Sequence, residues 1–175
     1  MKKFSAFTMA AMSLLLLGAG LFAGEAVAQQ PAKTLTEQFV GTWTLVELFY
    51  TTQNGTRVDS LGSDPKGRLR LDADGTFTLQ IMRSGLPKFK SNNREQGTAE
   101  ENRAVVQGTV SYFGTYSVNG ADKIFAVHIE ACSYANFEGA DQQRPFTLKG
   151  DVLTFTNKNS SVAGSSVQQT WKRIK

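Results

Sequence analysis

Apolar residues recur at every second position through most of the chain. Phe77, Leu79 and Ile81 alternate with Thr76, Thr78 and Gln80. That period of two predicts a strand with one core-facing side. Leu69 and Leu71 alternate with Arg68, Arg70 and Asp72, and Ala73-Asp74-Gly75 joins the two runs as a hairpin. A first strand is predicted over Val40–Tyr50, where Trp43, Leu45 and Phe49 share a parity and Glu47 interrupts it. The stretch from Thr51 to Pro65 reads as a long loop. Further on, Val110, Tyr112, Tyr116 and Val118 share a parity, with Gly108 and Gly114 in the same register. Inward glycines on a long strand predict a sharp bend at a barrel corner.

Lys123–Cys132 predicts the next strand. Phe125, Val127, Ile129 and Ala131 fall on one face; Ile124, Ala126, His128, Glu130 and Cys132 fall on the other. Three more strands follow: Gln143–Lys149, Val152–Thr156 after the Gly150-Asp151 turn, and a last one carrying Val167, Gln169 and Trp171. Two helical pieces interrupt the strands. Thr34 with Glu37, and Thr98 with Glu101, each have the spacing of a capping box. The second opens a short helix from Ala99 to about Gln107, and a polar loop over Ser84–Gly97 precedes it. About eight strands joined by tight turns, with no strand–helix–strand alternation, predict an all-β antiparallel fold. A sheet of that size closes on itself or packs as two layers.

The amino terminus changes the domain boundaries. Lys2 and Lys3 precede an apolar run centred on Leu14–Leu17, and Ala26-Val27-Ala28 fits cleavage after a small residue. Residues 1–28 are therefore expected to be a removed signal peptide. Residues 29–175 are expected to be a single domain in the periplasm or outside the cell. Beyond that leader no apolar stretch approaches the length of a membrane helix. Twelve Phe, four Tyr and two Trp supply core material, and the net charge of +4 is mild and scattered. Nothing there favours nucleic acid. Cys132 is the one cysteine, so the domain cannot close an internal disulfide and depends on its core.

Gly41-Thr42-Trp43 after a helical turn resembles the Gly-x-Trp signature of the lipocalin superfamily. That resemblance implies that Trp43 packs at the closed base of the barrel with a basic residue of the last strand over it, here Arg173. The chain more closely resembles the bacterial and fungal lipocalin-like domain proteins. The matching segments are Asp64-Pro65-Lys66-Gly67-Arg68-Leu69, Thr98 to Glu101, Tyr112-Phe113-Gly114-Thr115-Tyr116, His128 to Ser133, and Gly139, Gln142, Arg144 and Phe146. The match spans nearly all of residues 29–175, departing at Ala135 where relatives often carry proline. It implies a lipocalin-like β-barrel of about eight strands with one or two short helices. The function of the family is largely unassigned.

Candidate chemistry is sparse. His128 is the only histidine, open to a structural hydrogen bond, a ligand contact or acid–base work. Arg144 shares the parity of Phe146, and a buried arginine needs a carboxylate or an anionic ligand. Glu130 or Glu47 would supply the former. Tyr112 and Tyr116 share the inward parity of the bent strand, as core aromatics or as ligand contacts. The candidate ligand-binding set is thus His128, Arg144, Tyr112, Tyr116 and Glu130, with Gly41, Trp43 and Arg173 as the structural signature. No catalytic residue is assigned. His128 and Cys132, four apart on a strand, are too far apart to share a metal ion. No glycine loop or nucleophile elbow calls for a cofactor or a serine mechanism.

Three functions remain open: an exported binder of a small, partly hydrophobic molecule; a cofactor-independent isomerase or cyclase using the same cavity; and a filled-core module that binds a protein. The first accords best with a barrel of this size, which can hold one small ligand.

Overall fold

Thr34 stops the backbone from entering a helix any earlier. Its hydroxyl accepts the Glu37 amide at 3.3 Å, and the Glu37 carboxylate accepts the Thr34 amide at 2.7 Å. The helix so capped, α1, runs over Leu35–Phe39. It ends one residue before the first strand, β1, Gly41–Thr51. The computed structural model describes residues 32–59, 61–162 and 165–175. The leader expected over 1–28 lies outside the described residues.

From β1 the chain builds one meander within the unit Lys33–Lys175. A two-residue strand, β2 (Arg57–Val58), pairs back onto Tyr50 and Thr51 inside the stretch expected to be a loop. Then come β3 (Lys66–Leu71), β4 (Thr76–Met82), helix α2 (Ala99–Gly108) and β5 (Thr109–Asn119). They are followed by β6 (Ile124–Cys132), β7 (Asp141–Lys149), β8 (Val152–Asn157) and β9 (Ser166–Arg173). Every neighbour in the order β3-β4-β5-β6-β7-β8-β9 is antiparallel, and β1 pairs with both β3 and β9. The sheet is therefore a closed eight-stranded antiparallel barrel with two short helices, and β2 is an appendage. Closure leaves no long strand edge exposed.

The core follows the period of two. Leu69, Leu79, Ile81, Ile129 and Leu153 are fully buried, and each such side chain contributes about 1.5–3 kcal/mol relative to exposure. Two irregularities change which side chains point inward. On β1 the register shifts between Leu45 and Glu47. Leu48, opposite Gln169, thereby becomes the inward residue, and Phe49 goes to the outer face, where the Arg57 guanidinium lies 3.8 Å from its ring centre. The expected parity of Trp43, Leu45 and Phe49 breaks at this bulge. On β6 the register skips Glu130: Gly114 pairs with Ile129, and Phe113 with Ala131. Cys132, not Ala131, then sits opposite inward-facing Tyr112 and packs against the core. A bulge adds one residue to a strand and so reverses the facing of everything beyond it.

Candidate functional site

One end of the barrel is sealed. The Trp43 indole N–H donates to Phe39 O at 3.0 Å. Phe39 meets Phe125 and Phe146 with ring centres 5.6 and 4.8 Å apart. The Arg173 guanidinium lies 4.0 Å from the Trp43 ring centre. It donates through Nη1 to Val40 O at 2.7 Å and through Nη2 to Gln38 O, and Nε pairs with Asp151 at 3.2 Å. Gly41 leaves room for it: φ is +139°, and a Cβ there would stand 2.7 Å from Arg173 Nη1. The Tyr116 hydroxyl adds a bond to Asp72 O at 2.8 Å, tying β5 to the β3–β4 turn at this same end.

The other end is open. A hollow of about 450 Å³ enters there, with Leu48, Val110, Tyr112, Val167 and Gln169 on its walls. Residues Val106 and Gln107 of α2 form part of the rim. Glu101 holds α2 in place. Its carboxylate accepts the Thr98 amide at 2.8 Å and the Lys90 amide at 3.0 Å, fixing the preceding loop to the helix. Those bonds, the Thr98 amide first, hold the Glu101 carboxyl below the ordinary glutamate range. A lowered pKa in the folded protein means stability that is present above the unfolded value and lost as pH falls through the folded one. Amide exchange at Lys90 and Thr98 is accordingly expected to be slow near neutral pH and to accelerate, after correction for intrinsic rates, as the pH drops below that of ordinary glutamates. Glu101→Gln should show the fast behaviour at all pH values.

Beneath the hollow lies a buried polar group. Arg144 is 1 % exposed. Its Nη2 donates to Gln142 Oε1 at 2.7 Å, and its Cζ lies 5.4 Å from the ring centres of both Tyr112 and Phe155. Nε and Nη1 have no acceptor among the described residues. Neither expected carboxylate reaches it: Glu47 pairs with Arg57 at 2.8 Å on the outer face, and Glu130 is an exposed outer residue at the β6 bulge. The structural salt bridge considered for Arg144 is therefore not formed. Gln169 Oε1 and Trp171 Nε1 are also buried without partners among the described residues.

The predicted site residues thus divide. Tyr112 and Arg144 come together inside the barrel, with Tyr112 between Arg144 and the hollow. Tyr116 is inside but bonded at the sealed end. His128 points outward, its side chain 47 % exposed, with Nδ1 2.9 Å from Asp141 Oδ1. The barrel wall separates it from Arg144, so the histidine–arginine pair that an isomerase would need is not assembled. Among the described residues no cluster of three or more His, Cys, Asp or Glu is placed to hold a metal ion. Burial raises the Cys132 thiol pKa, while the Tyr134 amide donates to its sulfur at 3.3 Å. Sequence reasoning missed Gln142 as an interior residue. Its signal was the shared parity with Arg144 and Phe146, hidden because the strand was expected to begin at Gln143.

Residues 40–174 match the lipocalin-like domain family. The chain belongs to that family. It is also 27% identical over 109 residues to the 4'-hydroxy-3'-methoxypropiophenone carrier protein ppsC of Aspergillus oryzae, a match covering 56% of this chain and 96% of that one. Among solved structures, an uncharacterized protein from Bacteroides eggerthii is 14% identical with a TM-score of 0.39, covering 77% of this lipocalin-like chain and 98% of its own. The wild-type fluorescent protein UnaG is 13% identical with a TM-score of 0.37, covering 80% and 100%.

Proposed function

We propose that this lipocalin-like protein is an exported carrier that takes a small, partly apolar molecule through the open end of its barrel and holds it without altering it. The observation that carries this reading is the hollow of about 450 Å³ at one end of a barrel whose other end is sealed. Small-molecule sites range over about 300–1,000 Å³ and combine apolar walls with a few polar groups. Leu48, Val110 and Val167 are the walls here; Tyr112, Gln169 and, behind them, Arg144 are the polar groups. The carrier in Aspergillus oryzae supports the same class, a single-ring aromatic ketone being of a size that such a hollow admits. Tyr116 in this reading shapes the barrel, and His128 and Glu130 make no ligand contact.

Export rests on the sequence pattern of residues 1–28, with the domain 29–175 delivered to the periplasm or beyond. Native mass spectrometry of the protein purified from its own host tests both parts. The expected mass is that of a chain beginning at Gln29 with one small molecule bound, released by solvent extraction. A clean ligand-free mass, with no uptake of the neutral dye N-phenyl-1-naphthylamine, would leave only the filled-core interaction module.

A further inference from the structure

We propose that Arg144 is the receptor for an acidic oxygen on a planar aromatic ligand, so that the barrel selects aryl carboxylates, and phenolates or enolates of like shape, over neutral analogues. The inference rests on the carrier reading and gives it a ligand class.

Charge balance carries the argument. Guanidinium stays protonated at any pH a protein survives. Arg144 therefore brings a permanent positive charge into the barrel. The carboxylates of the neighbouring strands and turns are engaged elsewhere or face outward: Glu47 with Arg57, Asp72 with Arg70, Asp141 with His128, Asp151 with Arg173, Glu101 with two backbone amides, and Glu130 on the outer face. One neutral acceptor, Gln142 Oε1, takes one N–H of Nη2. The single N–H of Nε and the two of Nη1 remain without acceptors among the described residues. A buried donor set of this kind is costly unless something supplies an anion.

The surroundings define the rest of the ligand. Tyr112 and Phe155 each present a ring near the guanidinium, and Phe77 meets Tyr112 edge-on at 5.8 Å. Tyr112 is the ring of the three that borders the hollow, so a ligand oxygen reaches the guanidinium past its face, and a flat π-system lies along that face better than a branched aliphatic chain. Gln169 Oε1, an acceptor without a donor, lies on β9 opposite Phe155 of β8. It suits a ligand hydroxyl. The complement of the site is thus an aromatic body with an anionic oxygen at one place and a hydroxyl at another.

The test uses the full processed chain, washed free of bound material, with N-phenyl-1-naphthylamine as the reporter of the hollow. Two competitors of nearly equal shape displace it: 4-hydroxycinnamate, which is anionic at pH 7.5, and 4-hydroxycinnamamide, which is neutral. The expected result is displacement by the carboxylate at a concentration at least tenfold lower than by the amide. In Arg144→Met that ratio should collapse below about twofold, and in Arg144→Lys it should fall between. Equal displacement by both competitors in the native protein, or a ratio that survives in Arg144→Met, would overturn the anion site and leave the carrier reading standing. Absence of dye uptake together with no calorimetric heat from 4-hydroxycinnamate would overturn both. Failure of Arg144→Met to fold would also sink the proposal, because it would make the arginine a structural residue.

Discussion

Gly114→Ala is expected to destabilise the barrel by at least about 3 kcal/mol, and Gly114→Val to leave no cooperative fold at 37 °C. The reason is the absence of space on the neighbouring strand. A Cβ at Gly114 would stand 2.0 Å from His128 O, and 3.0 Å from both His128 C and Glu130 N. These are backbone atoms of β6, so no side-chain rotamer relieves the contact. Relief requires β5 and β6 to part, and parting breaks ladder bonds at the position where β6 carries its bulge. The pairing lost there sets the facing of Tyr112 and Cys132 above it. Urea denaturation followed by circular dichroism measures the effect. Phe113→Ala is the control: its side chain is on the outer face and 48% exposed, and it should cost below about 1 kcal/mol. Equal losses for the two alanine variants would show that the close β5–β6 pairing does not depend on the missing Cβ.

The same region shows how far the sequence could be read. Alternation alone located the strands that became β3 to β6, because a half-buried strand needs an apolar residue at every second place. Thr34–Glu37 and Thr98–Glu101 marked both helix starts, since each box satisfies backbone donors that nothing else reaches. The inward glycine on β5 lies where its pairing with β6 shifts register and the two backbones approach closely. What escaped were the two bulges. A bulge is one extra residue in the backbone, and neither Val46 nor Glu130 carries a side-chain signature that demands it. Beyond each, the shared parity ended: Phe49 left the face of Trp43 and Leu45, and Cys132 joined the core side that Phe125, Val127 and Ile129 occupy. The start of β7 was blurred for another reason. Asp141, Gln142, Gln143 and Arg144 form a polar run, and a strand whose inner face carries polar groups loses the alternation by which strands are recognised. Gln142, the hydrogen-bond partner of Arg144, was therefore not legible as an interior residue. Likewise the need of Arg144 for an anion was readable, but whether Glu47 or Glu130 met it depended on facings that the bulges decide.

The absence of a protein anion at Arg144 has a consequence for stability in the ligand-free protein: Arg144→Met should make it more stable, by about 1–3 kcal/mol or roughly 3–10 °C in Tm. Desolvating an unpaired guanidinium costs several kcal/mol even after the protein relaxes. Three contacts offset part of that cost. The bond to Gln142 Oε1 contributes about 1.5–3 kcal/mol as a hydrogen bond from a charged group. The two rings at 5.4 Å, near the roughly 6 Å limit of such contacts, add about 1 kcal/mol each. Two nitrogens without acceptors keep the balance unfavourable. Methionine is of similar length, needs no partner, and fills irregular space beside aromatic rings. Its cost is Gln142, which loses its donor, so Gln142→Leu combined with Arg144→Met should be more stable still. Thermal denaturation of ligand-free protein checks the sign, and the sign separates the two roles that Arg144 could have. An arginine that the fold relies on lowers Tm when removed. An arginine kept for a ligand raises it, and 4-hydroxycinnamate should then narrow the gap by stabilising the native protein more than the variant.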